Sequence, residues 1–292
     1  MSDRPIHIAL TFDDNFWAPA YALMRSICLS SRRPEDLVFH LIHIGLAPHH
    51  RQTLELIADE YPARLLHTDL AHHAAYRDFV ALLPMARPFT PVIYARLLLD
   101  RLLPPEVERV VYLDCDTYVR GPIETLSELD LKGHPIAAVL DPGRHKAMLG
   151  RDFRQNRELF SFNFAYFNSG MLVIDRAAYG QADLPAQTRR LHDSGALARI
   201  QYDQAILNLA FKGNWLPLDF RWNLIWPWPA HEVLEPQILH YTGHRKPWNL
   251  IPSAAFANAY RHTMTNDIFY AFWRERLRRL LLSPLRRLAG RG

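Results

Sequence analysis

Residues 6–44 read IHIALTFDDNFWAPAYALMRSICLSSRRPEDLVFHLIHI, and their pattern decides the fold class. Residues 6–12 (IHIALTF) are mostly apolar, with the length and composition of a short buried strand. They run into Asp13-Asp14-Asn15, residue types that make turns and cap helices. Residues 18–30 predict a helix, 38–44 (VFHLIHI) a second apolar strand, 49–60 a second helix and 64–67 a third strand. Strand and helix alternating from the first residues predict an α/β chain. Its central sheet should be mainly parallel and Rossmann-like, with flanking helices.

Working outward, Pro91–Leu103 is helical in pattern, and 109–113 (RVVYL) is a strand running into Asp114. Residues 136–140 (IAAVL) form a strand ending at Asp141. A further strand, 171–174 (MLVI), follows Asn168-Ser169-Gly170. Residues 203–211 predict a helix and 238–241 (ILHY) a late strand. Asp13, Asp114 and Asp141 therefore stand at C-terminal strand ends, the edge along which open parallel sheets bind ligands.

Composition narrows the function classes. The chain has 292 residues, 49% of them hydrophobic and 22% charged, an ordinary globular balance. Two cysteines exclude a disulfide-stapled scaffold and a four-cysteine zinc site. No apolar run reaches the roughly 18 residues of a spanning helix, and the N-terminus lacks a signal-peptide pattern. The net charge of +4 is unevenly spread. Residues 274–292 carry seven Arg against one Glu, a net of +6, so residues 1–273 sum to −2. A slightly acidic body with no binding motif argues against nucleic acid as a partner. The basic tail also holds Phe269, Phe272, Trp273, Leu277, Leu280 and Leu281 on one side of a helix. Such a helix suits an anionic membrane surface, with Arg276 as an interruption of its apolar stripe. The plainer alternative is a helix packed on its own body with a solvated arginine face. The simplest partition is a catalytic domain over residues 1–265 and a basic amphipathic tail over 266–292.

The chemistry centres on Val110-Val111-Tyr112-Leu113-Asp114-Cys115-Asp116. In an extended chain alternate side chains share a face, so Asp114 and Asp116 converge while Cys115 turns away. Two adjacent carboxylates repel unless a cation joins them, and oxygen ligands suit Mg²⁺ or Mn²⁺. An Asp-x-Asp pair also occurs in ordinary turns. His240 ends an apolar strand before Gly243, and a nitrogen ligand shifts preference toward Mn²⁺. Lys246, after the glycine, is placed to meet phosphate oxygens.

Six segments in order resemble glycosyltransferase family 8. They are Thr11-Phe12-Asp13-Asp14-Asn15, Tyr94-Ala95-Arg96-Leu97, Tyr112-Leu113-Asp114-Cys115-Asp116, Phe167-Asn168-Ser169-Gly170, the run Tyr202-Asp203-Gln204-Ala205-Ile206-Leu207-Asn208, and His240 through Trp248. Together they cover roughly residues 6–250, and the order is far more specific than any single segment. Within the family the chain looks most like bacterial lipopolysaccharide galactosyl- and glucosyltransferases, and more distantly like glycogenin.

The resemblance implies a GT-A fold, a UDP-galactose or UDP-glucose donor, Mn²⁺ dependence (Mg²⁺ as the other ion) and retention at the anomeric carbon. It implies Asp114, Asp116 and His240 as metal ligands, with Cys115 among the donor-binding residues. Thr11, Phe12, Asp13, Asn15 and Phe16 would line the uridine pocket, Phe16 stacking where relatives often carry Tyr. Gly243 and Lys246 would hold the diphosphate. Arg96, Asn168, Ser169 and Gly170 would surround the donor sugar together with the candidate catalytic residues Asp141, Asp203 and Gln204. Relatives commonly carry a second acid two positions after Asp203, where this chain has Ala205, which leaves acceptor contact there lost or moved. The implied setting is a saccharide or glycolipid acceptor at the inner face of the cell membrane, with the enzyme cytoplasmic and peripheral. Two other readings are a divalent-metal nucleotidyltransferase, which lacks its glycine-rich triphosphate loop here, and a degenerate transferase fold serving as a membrane or polysaccharide adaptor.

Overall fold

The computed structural model describes residues 4–83, 90–143, 157–160, 165–200 and 202–289, with side chains through Leu281. The end of the basic tail, with Arg286, Arg287 and Arg291, lies outside these described side chains. The opening alternation appears as expected: β1 (Ile6–Asp13), α1 (Trp17–Ser30), β2 (Leu37–Ile44), α2 (Pro48–Glu60) and β3 (Arg64–Asp69). The helix α1 is apolar around most of its circumference and is buried on nearly all of it. In α2 only His50, Leu54 and Ile57 are buried, an i, i+4, i+7 stripe.

These strands join β4 (Arg109–Leu113), β6 (Ile136–Leu140), β7 (Phe167–Asp175) and β8 (Leu216–Leu218) in a seven-stranded sheet of order β3-β2-β1-β4-β7-β6-β8. Only β7 runs against its neighbours β4 and β6; the other pairings are parallel. Strands β1, β4 and β6 therefore point the same way, and Asp13, Asp114 and Asp141 meet at one sheet edge. Chain order reverses between β1 and β4, which is where open α/β sheets form a binding crevice. Alternate residues of β1 enter opposite cores: Ile8, Leu10 and Phe12 on one face, Ala9 on the other.

Two local expectations are corrected. Asn168, Ser169 and Gly170 do not precede a strand but lie inside β7, because Phe167 and Asn168 pair with Leu140 and Val139 across a register shift in β6. The Asp114–Asp116 convergence comes from a turn, not from extended chain: β4 stops at Leu113, and the Thr117 amide donates to the Asp114 carbonyl at 3.0 Å. After the turn comes β5 (Thr117–Val119), in a small second sheet with β10 (Ile238–His240) and β9 (Leu224–Ile225). His240 is in register with Thr117, so the late strand delivers its histidine beside the acidic turn. The Pro91–Leu103 pattern is a 3₁₀ segment, Pro91–Leu98, running into one α-turn, Leu99–Leu102.

The C-terminal helix spans Asn266–Ala289. Ile268, Phe269 and Phe272 are buried in the core shared by β1 and α1, and Phe272 sits edge-on to Trp17 at 6.0 Å. Trp273 Nε1 donates to the Trp248 carbonyl at 2.8 Å. The apolar stripe read from sequence is thus divided. Its aromatic half packs on the body, while Leu277, Leu280 and Leu281 are 52%, 65% and 66% exposed. Arg276, the interruption in that stripe, lies over the Phe272 and Trp273 rings at 5.3 and 5.5 Å, a cation–π position. Among the described residues no helix is long and apolar enough to cross a membrane.

Candidate active site

Asp114, Asp116 and His240 come together at the C-terminal edge of β4, their ligand atoms all within 4.8 Å of one another. Each carboxylate has one oxygen held by a fixed cation and the other turned toward the histidine. Asp114 Oδ1 accepts from Arg96 at 2.7 Å and from the Tyr112 hydroxyl at 2.8 Å, while its Oδ2 is 3.9 Å from His240 Nε2. Asp116 Oδ2 accepts from Lys246 Nζ at 2.6 Å, while its Oδ1 is 3.2 Å from His240 Nε2. Burial works against the Asp116 charge, but Lys246 and His240 outweigh it and hold the carboxyl well below the usual range.

Arg96 is 6% exposed. Besides Asp114 it bonds Asp203 Oδ2 through Nε at 3.0 Å and the Ser169 carbonyl at 3.0 Å. It also stacks over the Tyr112 ring at 4.7 Å. Burial opposes its charge, yet Asp114 and Asp203 keep the guanidinium firmly protonated. Burial pushes the Asp203 carboxyl up, against the pull of Arg96.

A chain of amides links Asp141 to the histidine. Gln204 Nε2 donates to Asp141 Oδ2 at 2.9 Å, and Gln204 Oε1 accepts from the Ser169 amide at 3.1 Å and from Asn168 Nδ2 at 3.0 Å. A carboxylate only accepts and a backbone N–H only donates, so the Gln204 amide is fixed in orientation at both ends. Asn168 Oδ1 then accepts from Asn223 Nδ2 at 2.9 Å, and Asn223 Oδ1 faces His240 Nδ1 at 2.9 Å. The direction of the chain puts a proton on Nδ1, so Nε2, which faces Asp114 and Asp116, is the nitrogen a metal would take. An acceptor behind the far ring nitrogen in this way fixes the orientation of metal-binding histidines.

Gly170 makes the room. A Cβ there would lie 2.2 Å from His240 Cε1 and 2.8 Å from Asp114 Oδ2. An open space lined by two carboxylate oxygens and an imidazole nitrogen fits a small divalent cation, with the nitrogen favouring Mn²⁺ over Ca²⁺.

The other expected residues divide. Thr11 Oγ1 is 2.8 Å from the Tyr112 hydroxyl, which joins the β1 end to the acidic turn. Asp13 caps the following turn, Oδ1 accepting from the Asn15 amide at 2.9 Å. Asn15 and Phe16 are exposed beyond it, and Phe16 meets Trp248 edge-on at 6.0 Å. Gly243 has φ +77°, a conformation that favours glycine, in the loop that brings Lys246 back to Asp116. Two side chains do not reach the site. Phe12 and Cys115 are buried in the core, the Cys115 thiol lying 3.9 Å from the Thr11 carbonyl. They leave only backbone for a donor pocket, because both point to the inner face of their elements.

Sequence reasoning missed Tyr112 and Asn223. Tyr112 stands two residues before Asp114, and that spacing placed it on the same face. Asn223 carried no such signal: it ends a 3₁₀ turn, Phe220–Asn223, and only the tertiary fold brings it to His240.

The sequence matches the description "Glycosyl transferase family 8" over residues 7–251. The chain belongs to glycosyltransferase family 8. Membership makes it a glycosyl-transferring enzyme, and the fold is of the GT-A kind. This family 8 chain is 25% identical over 295 residues to general stress protein A of Bacillus subtilis (strain 168), covering 90% of its own length and 94% of that protein. It is 27% identical to the lipopolysaccharide 1,2-glucosyltransferase of Escherichia coli (strain K12), covering 84% and 73%. Its fold resembles that of the galactosyltransferase LgtC solved with donor and acceptor sugar analogs, at TM-score 0.71 and 22% identity, covering 88% and 95%. In this family 8 chain Ala205, on the helix Tyr202–Ala210, is fully buried in the apolar core.

Proposed function

We propose that the chain is a retaining, metal-dependent hexosyltransferase, moving galactose or glucose from a UDP-hexose to a saccharide or glycolipid acceptor in lipopolysaccharide or other cell-surface glycan synthesis. The observation that carries this is the convergence of Asp114, Asp116 and His240 on a space that Gly170 keeps clear. Asp114, Asp116 and His240 would hold a Mn²⁺, which would supply positive charge against a diphosphate leaving group. Lys246, already beside Asp116, adds a second positive charge on the same side. Phe16, exposed and backed edge-on by the buried Trp248, offers aromatic surface for a base, with Thr11, Asp13 and Asn15 as polar neighbours.

The surrounding residues favour attack from the face the diphosphate leaves. Gln204 is a neutral amide locked by Asp141, Asn168 and Ser169, a poor nucleophile. Asp203 is the charged candidate, but its Oδ2 is engaged by Arg96 at 3.0 Å and by the Ser169 hydroxyl at 3.3 Å. With Gln204 neutral and Asp203 tied to Arg96, the acceptor hydroxyl itself attacks the anomeric carbon and gives its proton to the departing phosphate oxygen. Gln204 and Asp141 then hold the sugar rather than attack it.

Leu277, Leu280 and Leu281 with the surrounding arginines support attachment to an anionic membrane, in the cytoplasm at the inner face. The test of function is a panel of UDP-hexoses with Mn²⁺, reading UDP release and sugar configuration. Selective turnover of one donor, abolished in His240→Ala, is the expected result. Absence of UDP release with every UDP-hexose would overturn the reading.

A further inference from the structure

A second cluster of metal-ligating side chains lies where α2, the turn after β1 and the C-terminal helix meet. His50 is nearly fully buried, its side chain 3% exposed. Its Nδ1 is 2.5 Å from Asp14 Oδ1, and its Nε2 is 3.0 and 2.9 Å from the two Glu275 oxygens. His49, the preceding residue, is 67% exposed, and its Nε2 is 3.7 Å from Glu275 Oε1. One ligand atom from each of His49, His50 and Glu275 lies within 4.8 Å of the others. The cluster is braced: Trp17 stacks on the His50 ring at 4.5 Å, and Trp17 Nε1 donates to Glu275 Oε2 at 3.2 Å.

We propose that His49, His50 and Glu275 form a second divalent-metal site, of the zinc class, that fastens the C-terminal helix to α2 and to the turn after β1. Metal–ligand bonds of about 2.0–2.2 Å in a tetrahedron separate ligand atoms by about 3.4 Å; the spacings from Glu275 to His50 and His49, 2.9 and 3.7 Å, bracket that value, and the two histidines lie within 4.8 Å of each other. Two imidazoles and one carboxylate are a zinc donor set, with the fourth position open on the exposed His49 side. Asp14 behind His50 Nδ1 completes a carboxylate–histidine–metal arrangement. Arg279 competes, 3.8 Å from Glu275 and 3.2 Å from Asp14; it can yield the first contact and keep the second. The site uses none of the residues that converge at the β4 edge, so it stands independently of the donor and metal assigned there.

The test is titration of the full-length chain with Co²⁺, a visible reporter of tetrahedral nitrogen–oxygen sites, followed by competition with Zn²⁺. Expected are intense tetrahedral bands that Zn²⁺ abolishes and that persist in His240→Ala. His49→Ala, a change at an exposed side chain that leaves the fold alone, and Glu275→Gln should each remove them. Asp14→Asn should weaken binding about 10- to 100-fold. Absence of such bands in the wild type, or bands unchanged in His49→Ala and Glu275→Gln, would overturn the proposal. So would bands lost in His240→Ala.

Discussion

Replacing Asn223 by alanine should loosen the metal site without touching a ligand. Asn223 is 2% exposed and makes two contacts that matter here: its Oδ1 accepts from His240 Nδ1, and its Nδ2 donates to Asn168 Oδ1, each at 2.9 Å. Truncation leaves the buried His240 N–H without an acceptor, while Asn168 Oδ1 keeps its bond from the Gly170 amide. One stranded buried donor costs about 1–3 kcal/mol. The histidine regains its freedom of tautomer and ring angle, and loss of such an outer-shell partner lowers metal affinity about 10- to 100-fold. Mn²⁺ titration followed by the signal of free Mn²⁺, with UDP-hexose turnover measured against Mn²⁺ concentration, separates the effects. The half-saturating Mn²⁺ should rise by that factor, while turnover at saturating Mn²⁺ stays near wild type. Asn223→Asp keeps an acceptor for Nδ1 and should recover most of the affinity. It sets a carboxylate against Asn168 Oδ1, so the fold should be less stable. A folded Asn223→Ala chain with wild-type Mn²⁺ affinity would refute the reasoning, as would identical affinities in the alanine and aspartate variants.

Gly170→Ala should force His240 aside, because its Cβ would stand 2.2 Å from the ring; Mn²⁺ affinity should fall at least about tenfold, with overpacking of about 1–3 kcal/mol seen as a lower Tm. Phe272→Ala should cost about 3–5 kcal/mol in chemical unfolding, since the ring is core, whereas Leu281→Ala should leave stability within about 0.5 kcal/mol. Deletion from residue 266 should therefore destabilise the body as well as change vesicle binding, and deletion from residue 277 should change vesicle binding alone; equal stability of the two truncations would contradict this. Burial lowers the pKa of His40 and His43 from 6.5 to about 4, so both are neutral in the fold and bind protons more readily when unfolded. Their stabilisation is complete above about pH 6.5 and is lost as pH falls toward 4, at most about 1.4 kcal/mol per pH unit for each. Thermal unfolding between pH 7 and 4 reads this, and the slope should relax in His40→Asn.

Local pattern was enough wherever one element defines its own environment. The apolar runs of β1, β2 and β4 and their alternation with helices specified a mainly parallel sheet, and the strand ends placed Asp13, Asp114 and Asp141 on its ligand-binding edge. The ordered motifs from Thr11 to Trp248 specified the family. The pairing of Asp114 with Asp116 was legible from two-residue spacing, although a turn, not an extended strand, brings them together. What lay beyond the sequence was every contact whose partners are far apart in the chain. A short second sheet, in which His240 is in register with Thr117, decides that the histidine faces the acidic turn. The amide chain from Asp141 through Gln204, Asn168 and Asn223 decides which nitrogen of His240 a metal would take, because hydrogen-bond direction is set only where a carboxylate and a backbone N–H fix its ends. The basic tail shows the same division. Its charge and amphipathic period are sequence properties, but the burial of Phe269 and Phe272 depends on the surface that α1 presents. A hydrophobic period states that a face will be covered, and only packing states by what.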